Sequence, residues 1–161
     1  MPYVSSHIPA LQADASFDGQ MYSITLADQS IATGNYEAFY FANPSSSSFV
    51  IQLHGIMAMS DQELSLDIIK NVTAFTSTGS LTPNNNSAGS TYSSVINTID
   101  SAVDVSDPVT GGELLYSYRN QKAIELKLVG CITILPGYNV VVRLSVSTNA
   151  SVTLNFSWWE V

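Results

Sequence analysis

The chain has 161 residues, enough for one compact domain that needs no disulfide or metal to hold it together. Only 11% of the residues are charged, against roughly 25% in an ordinary soluble domain, which excludes disorder driven by charge. Five basic residues against thirteen acidic ones give a net charge of −8, and Lys70, Arg119, Lys122, Lys127 and Arg143 are spaced singly, which argues against both a nucleic-acid partner and an anionic membrane surface.

Polarity comes instead from neutral groups, since Ser, Thr and Asn supply 47 of the residues. These are weak helix formers, and threonine favours strands, so the composition predicts an all-β protein. Residues 1–33 read as an N-terminal arm with one strand at 21–26, because apolar positions are sparse and Pro2, Pro9 and Gly19 break any period. The arm carries Tyr3, Ile8 and Leu11 as candidate docking side chains. Residues 1–9 hold neither the basic nor the apolar region of a secretory signal, and no stretch reaches the ~18 apolar residues of a membrane span, so a soluble product made in a cytoplasm is expected.

Residues 34–161 read as strand, turn, strand. An aromatic run at 36–42 stops at Asn43-Pro44 and four serines. Two runs follow at 49–59 and 63–75, the second alternating Leu64, Leu66 and Ile68 with Glu63, Ser65 and Asp67. Residues 76–91 form a polar loop, longer than a compact domain tolerates without a use for it. Weaker strands are expected at 92–99 and 102–105, then clearer ones at 113–118 and 124–134. The last two alternate cleanly: Val140, Val142, Leu144 and Val146 on one face, then Val152, Leu154, Phe156 and Trp158. Eight or nine antiparallel strands without helices predict a two-sheet β-sandwich of the jelly-roll type, with an immunoglobulin-like sandwich as the alternative.

Chemistry-bearing groups are few. Cys131 lies in an apolar run and reads as a small buried hydrophobe. His7 and His54 are far apart and lack cysteines at ligand spacing, and Asp100, Asp104 and Asp107 do not follow a calcium-loop pattern, so no metal and no cofactor is expected. No serine lies in a G-x-S-x-G turn, and no acid–base constellation rises above chance, so no enzyme is expected either.

The most informative pair is Trp158-Trp159. Neighbours on a strand point to opposite faces, so with Trp158 inside, Trp159 is expected outside, exposed and in want of a partner. Tyr36 and Tyr40, on the parity opposite Phe39 and Phe41, raise the same expectation more weakly.

Four segments also form a familiar series: the aromatic strand ending in Asn43-Pro44, the loop Leu81-Thr82-Pro83-Asn84-Asn85-Asn86, the turn Leu135-Pro136-Gly137-Tyr138-Asn139, and the terminal Asn155-Phe156-Ser157-Trp158-Trp159-Glu160. Over roughly residues 36–161 the chain resembles small accessory virion proteins of tailed bacteriophages and prophages, of the head-decoration or capsid-fibre kind. The resemblance implies a non-enzymatic virion protein that cements or decorates a capsid, with the major capsid protein and copies of itself, as a homotrimer, for partners. A host-receptor or glycan-binding module is the alternative, with Trp159, the tyrosines and the 76–91 loop in contact with the host surface.

Overall fold

The computed structural model describes residues 20–161 apart from positions 88, 97 and 130, so Tyr3, Ile8 and Leu11 lie outside the described residues. Among the described residues there is no helix, and the strands are β1 (Met21–Ile31), β2 (Tyr36–Ala42), β3 (Ile51–Lys70), β4 (Ala74–Phe75), β5 (Gly79–Leu81), β6 (Asn84–Asn85), β7 (Ile99–Val105), β8 (Val109–Thr110), β9 (Glu113–Lys127), β10 (Thr133–Ile134), β11 (Asn139–Val146) and β12 (Ala150–Glu160). Every pairing is antiparallel, as the short alternating runs predict.

The sandwich is one curled sheet folded over, with β3 as its spine. The first half of β3 pairs with β12, from Ile51↔Glu160 to Ser60↔Val152, and the second half with β11, from Leu64↔Val146 to Lys70↔Val140. On the other edge β9 follows β3 through both halves. Layer one therefore contains β6, β1, β12, the start of β3 and the end of β9. Layer two contains β5, β7, β2, β11, the end of β3 and the start of β9. A second sheet by pairing is only the β4–β8 ribbon.

The alternation read from the last two strands explains why the layers close on each other. Val140, Val142, Leu144 and Val146 meet Val152, Leu154, Phe156 and Trp158 in one core. Each such side chain contributes about 1.5–3 kcal/mol on burial. Phe41 of layer two meets the rings of Phe156 and Trp158 edge-on, with centroids 4.9 and 4.7 Å apart, and Tyr22 stacks on Trp158 at 5.9 Å.

The structure differs from the sequence-based expectation in several elements. The runs at 49–59 and 63–75 are largely one strand, because Ser60-Asp61-Gln62-Glu63 is not a turn. It is where β3 crosses between layers, its register against β9 shifting between Met59 and Leu64. The strand expected at 21–26 continues to Ile31 and pairs with β12 from Trp159 to Ala150, so residues 21–31 belong to the body of the sheet rather than to an arm. The strand expected at 92–99 enters the ladder only at Ile99, since the Val95 N–H and the Ser94 hydroxyl bond to the buried Glu160 carboxylate instead. The 76–91 loop bridges the two ends of the folded sheet: β5 extends the β7 edge, β6 extends the β1 edge, and Thr82-Pro83 joins them.

Candidate assembly surface

The two layers present very different outer faces. On layer two, Ala38, Ile69, Val72 and Val141 form a small second core, covered by the β4–β8 ribbon with Phe75 and Val109. Tyr40 belongs to this cover, its ring stacked on Phe75 at 5.4 Å. Gly111 and Gly112, both at positive φ, turn the chain from β8 into β9, and a Cβ on Gly112 would lie 2.7 Å from Ile69 Cγ2 and 3.0 Å from the Lys70 carbonyl.

Beside that patch lies a cluster of ions. Arg143 bonds Asp67 at 2.9 Å and Asp107 at 2.6 Å, while Arg119 at 2.8 Å and the Ser117 hydroxyl at 2.8 Å complete the shell of Asp67. Burial alone would raise the Asp67 pKa, but the hydrogen bonds from Arg143, Ser117 and Arg119 outweigh it and hold the carboxyl below its usual range. The Tyr36 ring packs against the Arg143 guanidinium, 5.0 Å from centroid to carbon. Tyr36 and Tyr40, expected to seek partners outside the chain, thus have partners within it.

The outer face of layer one has no such cover among the described residues. Its rows run Ser23, Ser157, Gly55, Lys127 and then Thr25, Asn155, Met57, Glu125, with Thr153, Met59 and Ala123 beyond. Met57 and Met59 are 39% and 45% exposed, although Ile56 and Ala58, which alternate with them, are buried. The charged side chains in these rows, Glu125 and Lys127, lie at the β9 rim, 3.5 Å from each other. Gly55 leaves a groove of about 160 Å³ between Met57, Glu125, Asn155 and Ser157. The result is a pleated face of hydroxyls, an amide and two thioethers. Such groups are cheap to bury against another protein, whereas unpaired charges are not.

Trp159 lies at one end of this face, and here the expectation needs correcting. Alternation does split the indoles, with Trp158 in the core and Trp159 on the outer side. Trp159 is nevertheless only 6% exposed. The register sets it opposite Gln52, whose side-chain oxygen accepts its Nε1 proton, and the neighbouring bulge in β3 brings the His54 ring onto it at 5.3 Å. Burial lowers the His54 pKa, so that this end of the face stays uncharged near neutral pH.

The remaining candidates separate. Cys131, expected inside, is exposed: after Lys127 the chain leaves the ladder, the Leu128 and Val129 N–H groups both bond to the His54 carbonyl, and the turn directs the thiol outward. Asp104 is tied to the turn after β1, where the Ala32 N–H and the Asn35 amide lower its pKa, while Asp107 pairs with Arg143. Among the described residues no group of three or more His, Cys, Asp or Glu side chains could hold a metal. The uncovered face was missed in the sequence, although Met57 and Met59 on the solvent parity of an otherwise regular strand were a visible signal. Comparison with protein-family models, curated proteins and solved structures returns no match.

Proposed function

We propose that this chain is a non-enzymatic structural protein of a tailed-phage virion, which docks on the capsid lattice through the outer face of layer one. The observation that carries the reading is that face: a pleated surface whose central rows carry charge only at the β9 rim, with exposed Met57 and Met59 and the notch at Gly55. Depletion of charge with enrichment of methionine is the composition of an interface core. The resemblance of residues 36–161 to accessory virion proteins and the chain's low content of charged residues point the same way.

The test is co-sedimentation of the purified protein with particles of the encoding phage or prophage that lack it. Met57→Glu places a charge at the centre of the face. It is expected to weaken particle binding by roughly ten-fold or more, while the melting temperature stays near that of the wild type. Undiminished binding by Met57→Glu overturns the face as the docking site. The glycan-binding alternative moves from the covered Trp159 to a pocket of about 190 Å³ whose wall includes Thr82, Asn85 and the exposed Tyr92, an aromatic face beside an amide and a hydroxyl. Loss of host-cell binding by Tyr92→Ala, with particle binding intact, would favour that reading instead.

A further inference from the structure

We propose that an apolar pocket at one end of the sandwich is filled by Leu11 of the same chain, so that the segment before Gln20 straps the end from which it emerges. The pocket holds about 170 Å³ and lies between β10 and the start of β9, with Leu115, Ile132, Ile134 and Val140 in its walls. Leu115 turns into it because β9 has one residue too many between its pairings with Ile69 and Ile68. Leu135 and Tyr138 also line the pocket, and they are 51% and 54% exposed. An apolar cavity of about 150 Å³ accepts a benzene molecule, so this one has room for one branched aliphatic side chain.

Position and length choose the occupant. The Gln20 carbonyl accepts the Glu160 N–H, Glu160 pairs with Ile51, and Ile51 pairs with Ile134 of the pocket wall. Gln20 therefore stands at the same end as the pocket, three strand spacings or about 14 Å from its wall. Nineteen residues precede it in the sequence. An extended chain gains at most about 3.3–3.6 Å per residue, so Phe17 reaches roughly 10 Å, only as far as the end of β3. Ala15 and Ala13 offer single methyl groups. Leu11, with a reach of about 30 Å, is the first large apolar side chain that can enter.

Charge agrees with this choice. Asp14 and Asp18 are the charged side chains of the segment, and Lys70 is the charged side chain of the pocket lining. Lys70 pairs with Glu113 at 3.1 Å, but Glu113 is mostly exposed and the pair is weak. Asp14, three residues from Leu11, is close enough to share the ammonium. A tether of this length also holds Leu11 near the pocket at about millimolar effective concentration, which favours the chain's own segment over that of a second copy.

The test uses the full chain with p-benzoylphenylalanine in place of Tyr138, irradiated at micromolar concentration, digested and read by mass spectrometry. Cross-links to peptides around Leu11 are expected, and in a mixture of isotopically heavy and light chains they should stay within one chain. Leu11→Asp should lower their yield by roughly ten-fold and raise the binding of an apolar dye, whereas Phe17→Asp should change neither. The proposal does not involve the docking face, so Met57→Glu should leave the cross-link as it is. No cross-link to residues 1–19, links between heavy and light chains, a yield indifferent to Leu11→Asp, or a larger loss with Phe17→Asp would each overturn the proposal. Loss of the cross-link in Met57→Glu would overturn it too, by placing the segment on the layer-one face.

Discussion

The outer face of layer two and that of layer one are built on the same β3–β9 ribbon, yet they manage exposure in opposite ways. Layer two is closed by its own chain, with the β4–β8 ribbon over Ile69 and Val141 and the Arg143–Asp67–Arg119 cluster beside it. Layer one is left open, with methionines and neutral hydroxyls where layer two has charges and a cover. The difference teaches where the molecule places electrostatic cost. Ionic groups are buried where internal partners satisfy them, and the face available to another protein is kept nearly free of them.

The sharpest test of this contrast is a residue of layer two that breaks its own rule. Glu37 lies on the inward parity of β2 with Phe39 and Phe41, fully buried, and neither carboxyl oxygen has a hydrogen-bond partner. Burial raises its pKa from 4.5 to about 8. The unfolded chain gives up this proton near pH 4.5, while the folded chain keeps it to about pH 8. Its contribution is therefore complete below pH 4.5 and is lost as the pH rises through about 8, a fall on the order of 4–5 kcal/mol. Glu37→Gln keeps the shape without the titration. Denaturant melts of the two proteins should agree at pH 4 and diverge by pH 8.5, with the variant the more stable. Parallel stability curves would show that Glu37 keeps its ordinary ionisation.

Next in size is the ion cluster. Arg143→Ala leaves Asp67, itself largely buried, with only Arg119 and Ser117, and frees Asp107 and the Tyr36 ring. Removing one partner of a mostly buried pair costs about 3 kcal/mol, which chemical denaturation would read directly. Because the native Asp67 pKa is lowered, the wild type should also lose stability as the pH falls below the usual carboxylate range, and the variant should lose less. A cost below about 1 kcal/mol would place the cluster with ordinary surface pairs.

How far these features were legible in the sequence depends on how far apart their causes lie. The inward series of β11 and β12 could be read because a strand with one dry face writes a period of two into adjacent residues. The division of Trp158 from Trp159 followed from the same local rule. The burial of Trp159 did not, since it depends on Gln52 and His54, brought onto the indole by the β3–β12 register and a bulge. In the same way Ser60-Asp61-Gln62-Glu63 has the composition of a turn, and only the continuing partnership with β9 keeps it in a strand. The segment before Ile99 is irregular because a carboxylate some 65 positions away takes its N–H. Leu114 and Tyr116 alternate in sequence as core residues do, but an extra residue in β9 between them shifts the register, so that Leu115 packs on the core and both of them are exposed.

The smallest expected change in stability separates the two faces most cleanly. Gly55 has no conformational reason to be glycine: its φ is not positive, and a Cβ there would meet the Leu126 carbonyl at 3.4 Å and the Ser157 hydroxyl at 3.5 Å, ordinary contacts. A glycine inside a strand costs roughly 0.5–1 kcal/mol relative to alanine, so Gly55→Ala should raise stability by about that much. The same methyl group partly fills the notch beside Met57 and Asn155, and particle binding should weaken as the fold tightens. Opposite signs for stability and binding are what a surface shaped for a partner gives, because the glycine is then retained for the groove it leaves and not for the strand that holds it. If binding is unchanged while stability rises, the notch takes no part in docking, and the methionines alone must account for the contact.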